Sequence, residues 1–169
     1  MIGKLRLTDK REALPVALAA VFNSGRVLLI RRKRPPFSGL WGMLGGKVRY
    51  GEDLDEAVVR EVREESGVRA RFESLCGVVT ESLFSGRSLK MNYLLMVCRL
   101  QAITSRIRGS GEGEVRWFGI GELARMRQEL IPSDWLMLER LVLQRPERFY
   151  YRCVVRKNNT GRYRIERFR

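Results

Sequence analysis

Glu61, Glu64 and Glu65 stand at spacing i, i+3, i+4, which sets three side chains on one face of a helix. Leu54, Ala57, Val58 and Val62 repeat with the same period and form an apolar stripe. At 100° per residue, Glu61 and Glu65 fall within about 20° of Leu54, inside that stripe, and Glu64 lies on its edge. A carboxylate turned toward a core is costly unless partnered, and two of them at i, i+4 repel each other. A divalent cation held by oxygens removes both penalties, and hard oxygen ligands favour Mg²⁺ or Mn²⁺. An acidic surface helix pairing its glutamates with Arg60 and Arg63 meets the same spacing. Other chemistries are closed. The chain has no histidine, and Cys76, Cys98 and Cys153 form no Cys-x-x-Cys pair. Zinc sites of the Cys/His kinds, a Ser-His-Asp triad and a Cys-His dyad are thereby excluded, and the thiols are expected as core fillers.

The flanks decide between metal site and surface helix. Gly46 is followed by five residues, Glu52, seven more residues, and then Arg60-Glu61-Val62-Arg63-Glu64-Glu65-Ser66-Gly67-Val68. This resembles the Nudix box, G-x5-E-x7-R-E-U-x-E-E-x-G-U with U aliphatic, at every specified position. Chance agreement at a given start is on the order of one in 10⁹ from average composition. Trp41–Lys47 resembles the strand that precedes the box in that family, and Glu114–Phe118 a common downstream strand. Leu44 occupies a place where many members carry proline.

The resemblance implies an α/β/α sandwich with a mixed sheet. Its implied activity is metal-dependent hydrolysis of a diphosphate bond in a nucleoside diphosphate-linked substrate. Glu61 and Glu65 are then the direct metal ligands, with the Gly46 carbonyl as an additional one. Glu64 is a further ligand, a supporting group or the base; Glu52 supports the cluster through water, and Arg60 orients a glutamate. A water attacks one phosphorus and a carboxylate takes its proton, a role open to Glu64, Glu112 and Glu114. Arg31, Arg32 and Arg34 offer planar forks for substrate phosphates, or form a solvated basic loop. Trp41, Phe37 and Tyr50 either stack on a base or pack. After the box only Pro132 and Pro146 remain, without the prolines of the usual ADP-ribose and NADH subgroups, so ADP-ribose-like compounds and nucleoside triphosphates both stay open.

Around the box the chain reads as strands interleaved with helices. Leu14–Phe22 and Arg26–Ile30 form a hairpin about Asn23-Ser24-Gly25, and Arg31–Gly46 is a loop running into a glycine-rich strand. Asp53 with Glu56 makes a capping box, and Gly67 is the C′ glycine of the acidic helix. Strands follow at Phe72–Thr80, Met91–Leu100 and Val115–Phe118. Helices follow at Ile120–Met126 and Ser133–Leu143, the latter capped by Ser133. Residues 1–145 are expected as the hydrolase domain and 146–169 as a basic β-hairpin extension of it.

Net charge is +14, and residues 145–169 carry nine basic side chains against two acidic ones, half that total. Such charge predicts anionic partners. A small nucleotide comes first. Pyrophosphohydrolysis at RNA 5′ ends is the second reading, because Tyr150, Tyr151, Tyr163 and Phe168 are interleaved with arginines in a pattern suited to single strands. A non-enzymatic nucleic-acid-binding or ligand-sensing module is the third class, and a homodimer contact is an alternative use of the hairpin. The longest apolar stretch, Leu14–Phe22, is too short to span a bilayer, so no membrane contact and a cytoplasmic location are expected.

Overall fold

The computed structural model describes residues 12–144 and 148–169. The expected boundary at 145/146 lies outside them. Among the described residues one nine-stranded sheet carries the molecule. Its strands are β1 (Leu14–Asn23), β2 (Arg26–Arg32), β3 (Trp41–Gly42), β4 (Leu44–Lys47), β5 (Ala70–Ser85), β6 (Ser88–Ala102), β7 (Gly113–Gly119), β8 (Tyr150–Lys157) and β9 (Tyr163–Phe168). The order is β3-β2-β1-β6-β5-β8-β9, with β4 joined to β1 and β7 to β2. β1 runs parallel to β6, and β5 parallel to β8, in an otherwise antiparallel sheet.

Strand alternation separates two cores. Ala17, Ala19, Val21, Leu28 and Ile30 face helix α1 (Leu54–Ser66), where Ala57, Val58 and Val62 are fully buried. Leu18, Ala20, Val27 and Leu29 face the other way, toward α2 (Ile120–Arg125) and α3 (Pro132–Met137). The result is the expected mixed α/β sandwich. α1 begins and ends as its sequence specifies: Glu56 accepts the Asp53 N–H at 3.3 Å, and Gly67 adopts φ 71°. That left-handed conformation costs glycine nothing and closes the last turn through the Arg63 carbonyl.

Three expectations need correction. The β5–β6 ladder extends beyond Phe72–Thr80 and Met91–Leu100 at both ends, to a turn at Gly86-Arg87. Main-chain pairing carries it through polar residues that show no hydrophobic signal, such as Ser82 opposite Asn92. Ser133 is not a cap. Pro132 takes the first helical position, where its missing N–H costs nothing, so the cap falls on Ile131 and Ser133 turns into the core. Beyond Met137 the helix widens into a π-helical turn, Leu138–Leu143. All three cysteines are free thiols, Cys98 and Cys153 fully buried and Cys76 half-buried.

Candidate active site

α1 crosses β4, and the contact is made through glycine. The Gly45 N–H donates to Glu65 Oε2 at 2.9 Å. Gly46 faces Glu61 so closely that a Cβ there would collide with its carboxylate. Glu61 and Glu65 thus rest on neighbouring residues of one short strand. Glu65 is only 5% exposed. Burial pushes its carboxyl up to about 8; the Gly45 N–H opposes this, and the nearby charges of Glu112 and Glu61 add to it.

Arg60 organises the opposite flank. Its guanidinium forks onto Glu52 at 2.6 and 2.9 Å, and reaches Glu61 at 2.5 Å, Glu64 at 3.2 Å and the Lys47 carbonyl at 3.3 Å. The side-chain bond from Arg60 holds Glu52 down at about 2, and Glu52 in turn raises Arg60. Glu64 is half-exposed and also approaches Arg49 at 3.4 Å.

Beside Glu65 opens a cavity of about 490 Å³ lined by Arg32, Lys33, Arg34, Glu64, Ser110 and Glu112. Arg32 also borders a second, more apolar pocket of about 260 Å³ that reaches Gly45, Gly46 and Lys47 from the other side. The glycine strand therefore stands between a charged cleft and an apolar one.

The structure does not gather all the anticipated residues. Glu114 lies opposite Arg31 in the β2–β7 ladder, on the face shared with Arg116 and Phe118. Phe118 belongs to the core away from α1, so Glu114 and Arg31 point away from Glu61 and Glu65. Arg31 instead donates to the Gly39 carbonyl at 3.0 Å. Trp41 is 5% exposed and packs edge-on against Phe118, its ring centroid 4.8 Å away, so its indole is a packing group and offers no face to a base. Tyr50 is fully exposed, whereas Phe37 is buried against Tyr163. Sequence reasoning missed Lys33, Lys47, Glu81 and Asp134, all of which line the two cavities. Glu81 had a usable signal: it falls on the inward set Val79, Glu81, Leu83 of an alternating strand.

Among the described residues no three acidic or cysteine side chains already converge closely enough to enclose a cation. The donor chemistry nevertheless fits a hard divalent ion. A buried carboxylate lacking a cationic hydrogen-bond partner and a second one seated in a cradle that only glycine leaves open lie against neighbouring residues of β4.

Comparison with known proteins agrees with this arrangement. Residues 13–141 match the NUDIX domain family. The chain is 33% identical over 142 residues to an ADP-ribose pyrophosphatase of Methanocaldococcus jannaschii, covering 80% of this chain and 82% of that protein. A MutT NUDIX hydrolase structure from Burkholderia pseudomallei superposes with a TM-score of 0.64 at 28% identity, over 78% of this chain and 99% of that one. A MutT protein from Bacillus halodurans shares the fold at 20% identity, with a TM-score of 0.73 over 92% and 96% of the two chains. This chain belongs to the Nudix hydrolases and is a pyrophosphohydrolase. No described helix is long and apolar enough to cross a membrane.

Proposed function

We propose that the protein hydrolyses the diphosphate bond of a small nucleoside diphosphate-linked compound of the ADP-ribose kind, with Mg²⁺ or Mn²⁺ held by Glu61, Glu65 and the Gly46 carbonyl. The observation that carries this reading is the burial of Glu65 on the Gly45 N–H at the edge of a cleft lined by three basic side chains. Bound there, the ion supplies charge neutralisation on the diphosphate and activation of the attacking water. Arg32, Lys33 and Arg34 hold phosphate oxygens along the cleft. Arg60 keeps Glu52 and Glu61 in place. Glu64 and Glu112 are the carboxylates placed to accept the proton of the attacking water, since both line the cleft and Glu114 does not. The ADP-ribose pyrophosphatase relative supports the substrate class.

The test is turnover with Mg²⁺ or Mn²⁺ across ADP-ribose, nucleoside triphosphates and 5′-triphosphate RNA. ADP-ribose-like compounds are expected to lead, with Glu65→Gln lowering kcat at least roughly 100-fold. Unchanged turnover in Glu65→Gln removes the metal assignment. A preference for RNA favours the second reading, which rests on the exposed arginines Arg152, Arg164 and Arg167 of the terminal hairpin.

A further inference from the structure

A third cavity, of about 580 Å³, shares no lining residue with the charged cleft or the apolar pocket. Ser38 and Leu40, on the way into β3, line one side, and Arg127, Gln128, Leu130 and Pro132, leading into α3, line another. Gly161, Arg162 and Tyr163, at the turn between β8 and β9, complete it. Those three lie beyond residue 141, where the family match ends. The cavity therefore owes one wall to the terminal hairpin, and none of the residues assigned to diphosphate cleavage lines it.

Its charge is one-sided. Arg127 and Arg162 line it and no acidic side chain does. Among the described residues neither arginine has a carboxylate partner. Both are held in place. The Arg127 guanidinium lies over the Trp135 ring, 5.1 Å from its centroid. The Asn158 side chain locks the turn that carries Arg162: its Oδ1 accepts the Thr160 and Arg162 N–H groups at 3.0 and 2.9 Å. The Asn158 N–H donates in turn to the Arg162 carbonyl at 2.9 Å. Lys157 adds a positive charge nearby, its Nζ 5.5 Å from the Tyr163 ring centroid. The opposite wall is equally fixed, since Ile131, between Leu130 and Pro132, donates its N–H to the Trp41 carbonyl at 2.8 Å. A site formed in advance loses little binding energy to ordering itself.

Two guanidinium groups without a carboxylate suit a phosphate, whose oxygens accept their forked N–H donors. Leu40, Leu130, Pro132 and the Tyr163 ring add apolar surface that a bare anion would leave unused. The volume also lies inside the usual range of about 300–1,000 Å³ for small-molecule pockets. We propose that this cavity is a second ligand site, which binds an organic monophosphate. The phosphate rests on Arg127 and Arg162, and the carbon skeleton lies against Leu40 and Tyr163.

The test is a ¹⁵N NMR titration of the intact protein, with a chelator present so that no metal bridges ligand to the glutamates. The ligands are AMP, ribose 5-phosphate, inorganic phosphate and adenosine. The Gly161 N–H and the Trp135 indole N–H report on this cavity, and the Gly45 N–H reports on the catalytic strand. At least one organic phosphate is expected to shift Gly161 and Trp135 saturably, and to bind five-fold or more tightly than inorganic phosphate or adenosine. Arg127→Ala and Arg162→Ala, read at Gly161, are each expected to weaken that binding ten-fold or more, as the loss of one charged hydrogen-bonded contact requires. Tm is expected to stay unchanged in both, because both side chains are exposed. Shifts confined to Gly45, or no shift at all, overturn the proposal. So does inorganic phosphate or adenosine binding as tightly as the organic phosphates, or unchanged affinity in both variants. Turnover enters none of these outcomes, so they stand apart from the fate of the hydrolase reading.

Discussion

Arg60 does more bonding than any acid it holds. One guanidinium engages three glutamates and a main-chain carbonyl, and the planar fork onto Glu52 has no equivalent in lysine. Its removal would loosen the placement of Glu61 without touching the substrate. Glu52 titrates near 2 in the folded protein against an ordinary value of 4.5, so it binds fewer protons folded than unfolded. Its contribution to stability is therefore complete above pH 4.5 and is lost as pH falls toward 2. In Arg60→Lys the acid limb of a urea-stability profile should flatten between pH 5 and pH 2.5. Activity at neutral pH should fall roughly ten-fold, mainly in kcat, as expected of a group that positions a ligand.

At the scale of elements, the active site depends on β4 having no side chains at two positions. Gly45 holds φ 149°, and a Cβ there would collide with the Ala17 carbonyl of β1. Gly46 is limited by the Glu61 carboxylate and not by backbone. The two substitutions should separate. Gly45→Ala is expected to destabilise by about 2–3 kcal/mol in chemical denaturation, combining backbone strain with the clash against β1. Gly46→Ala is expected to keep most of the stability and lose activity, since only the Glu61 carboxylate must move. Equal Tm losses in both would show that the Gly46 contact is structural.

Over the whole molecule, the basic terminal hairpin is part of the sheet. β8 pairs with β5 from Val78 to Ser85, and Cys153 and Val155 are fully buried in the core away from α1. β9 then brings Tyr163 onto Phe37, which walls the apolar pocket: the rings are 4.5 Å apart and the Phe37 N–H donates to the Tyr163 hydroxyl at 3.3 Å. Deleting residues 148–169 should lower Tm by more than about 10 °C or abolish folding, as the loss of several core side chains and of the β5–β8 ladder requires. A stable, fully active truncated protein would contradict the shared core. Any role of the hairpin in RNA contact is therefore better probed by reversing Arg152, Arg164 and Arg167 than by deletion.

The acidic helix, its caps and the convergence of Glu61 and Glu65 were legible from local spacing, because a helix fixes the angle between side chains four residues apart. The same locality explains the clear reading of the first hairpin and of the glycine strand. What the chain could not disclose alone was which distant segments meet. Glu114 leaves the cleft because its pairing with Arg31 fixes it on the face away from α1, and register is a pairing between strands about 80 residues apart; Glu112 lies in the turn before β7, outside that ladder, and lines the cleft from there. Glu81 and Asp134, on different elements, become neighbours only when α3 packs against the sheet. Trp41 has the composition of a stacking group, and burial against Phe118 made it a core residue. Periodicity is written in neighbouring residues; burial and juxtaposition arise only when the sheet closes on its helices.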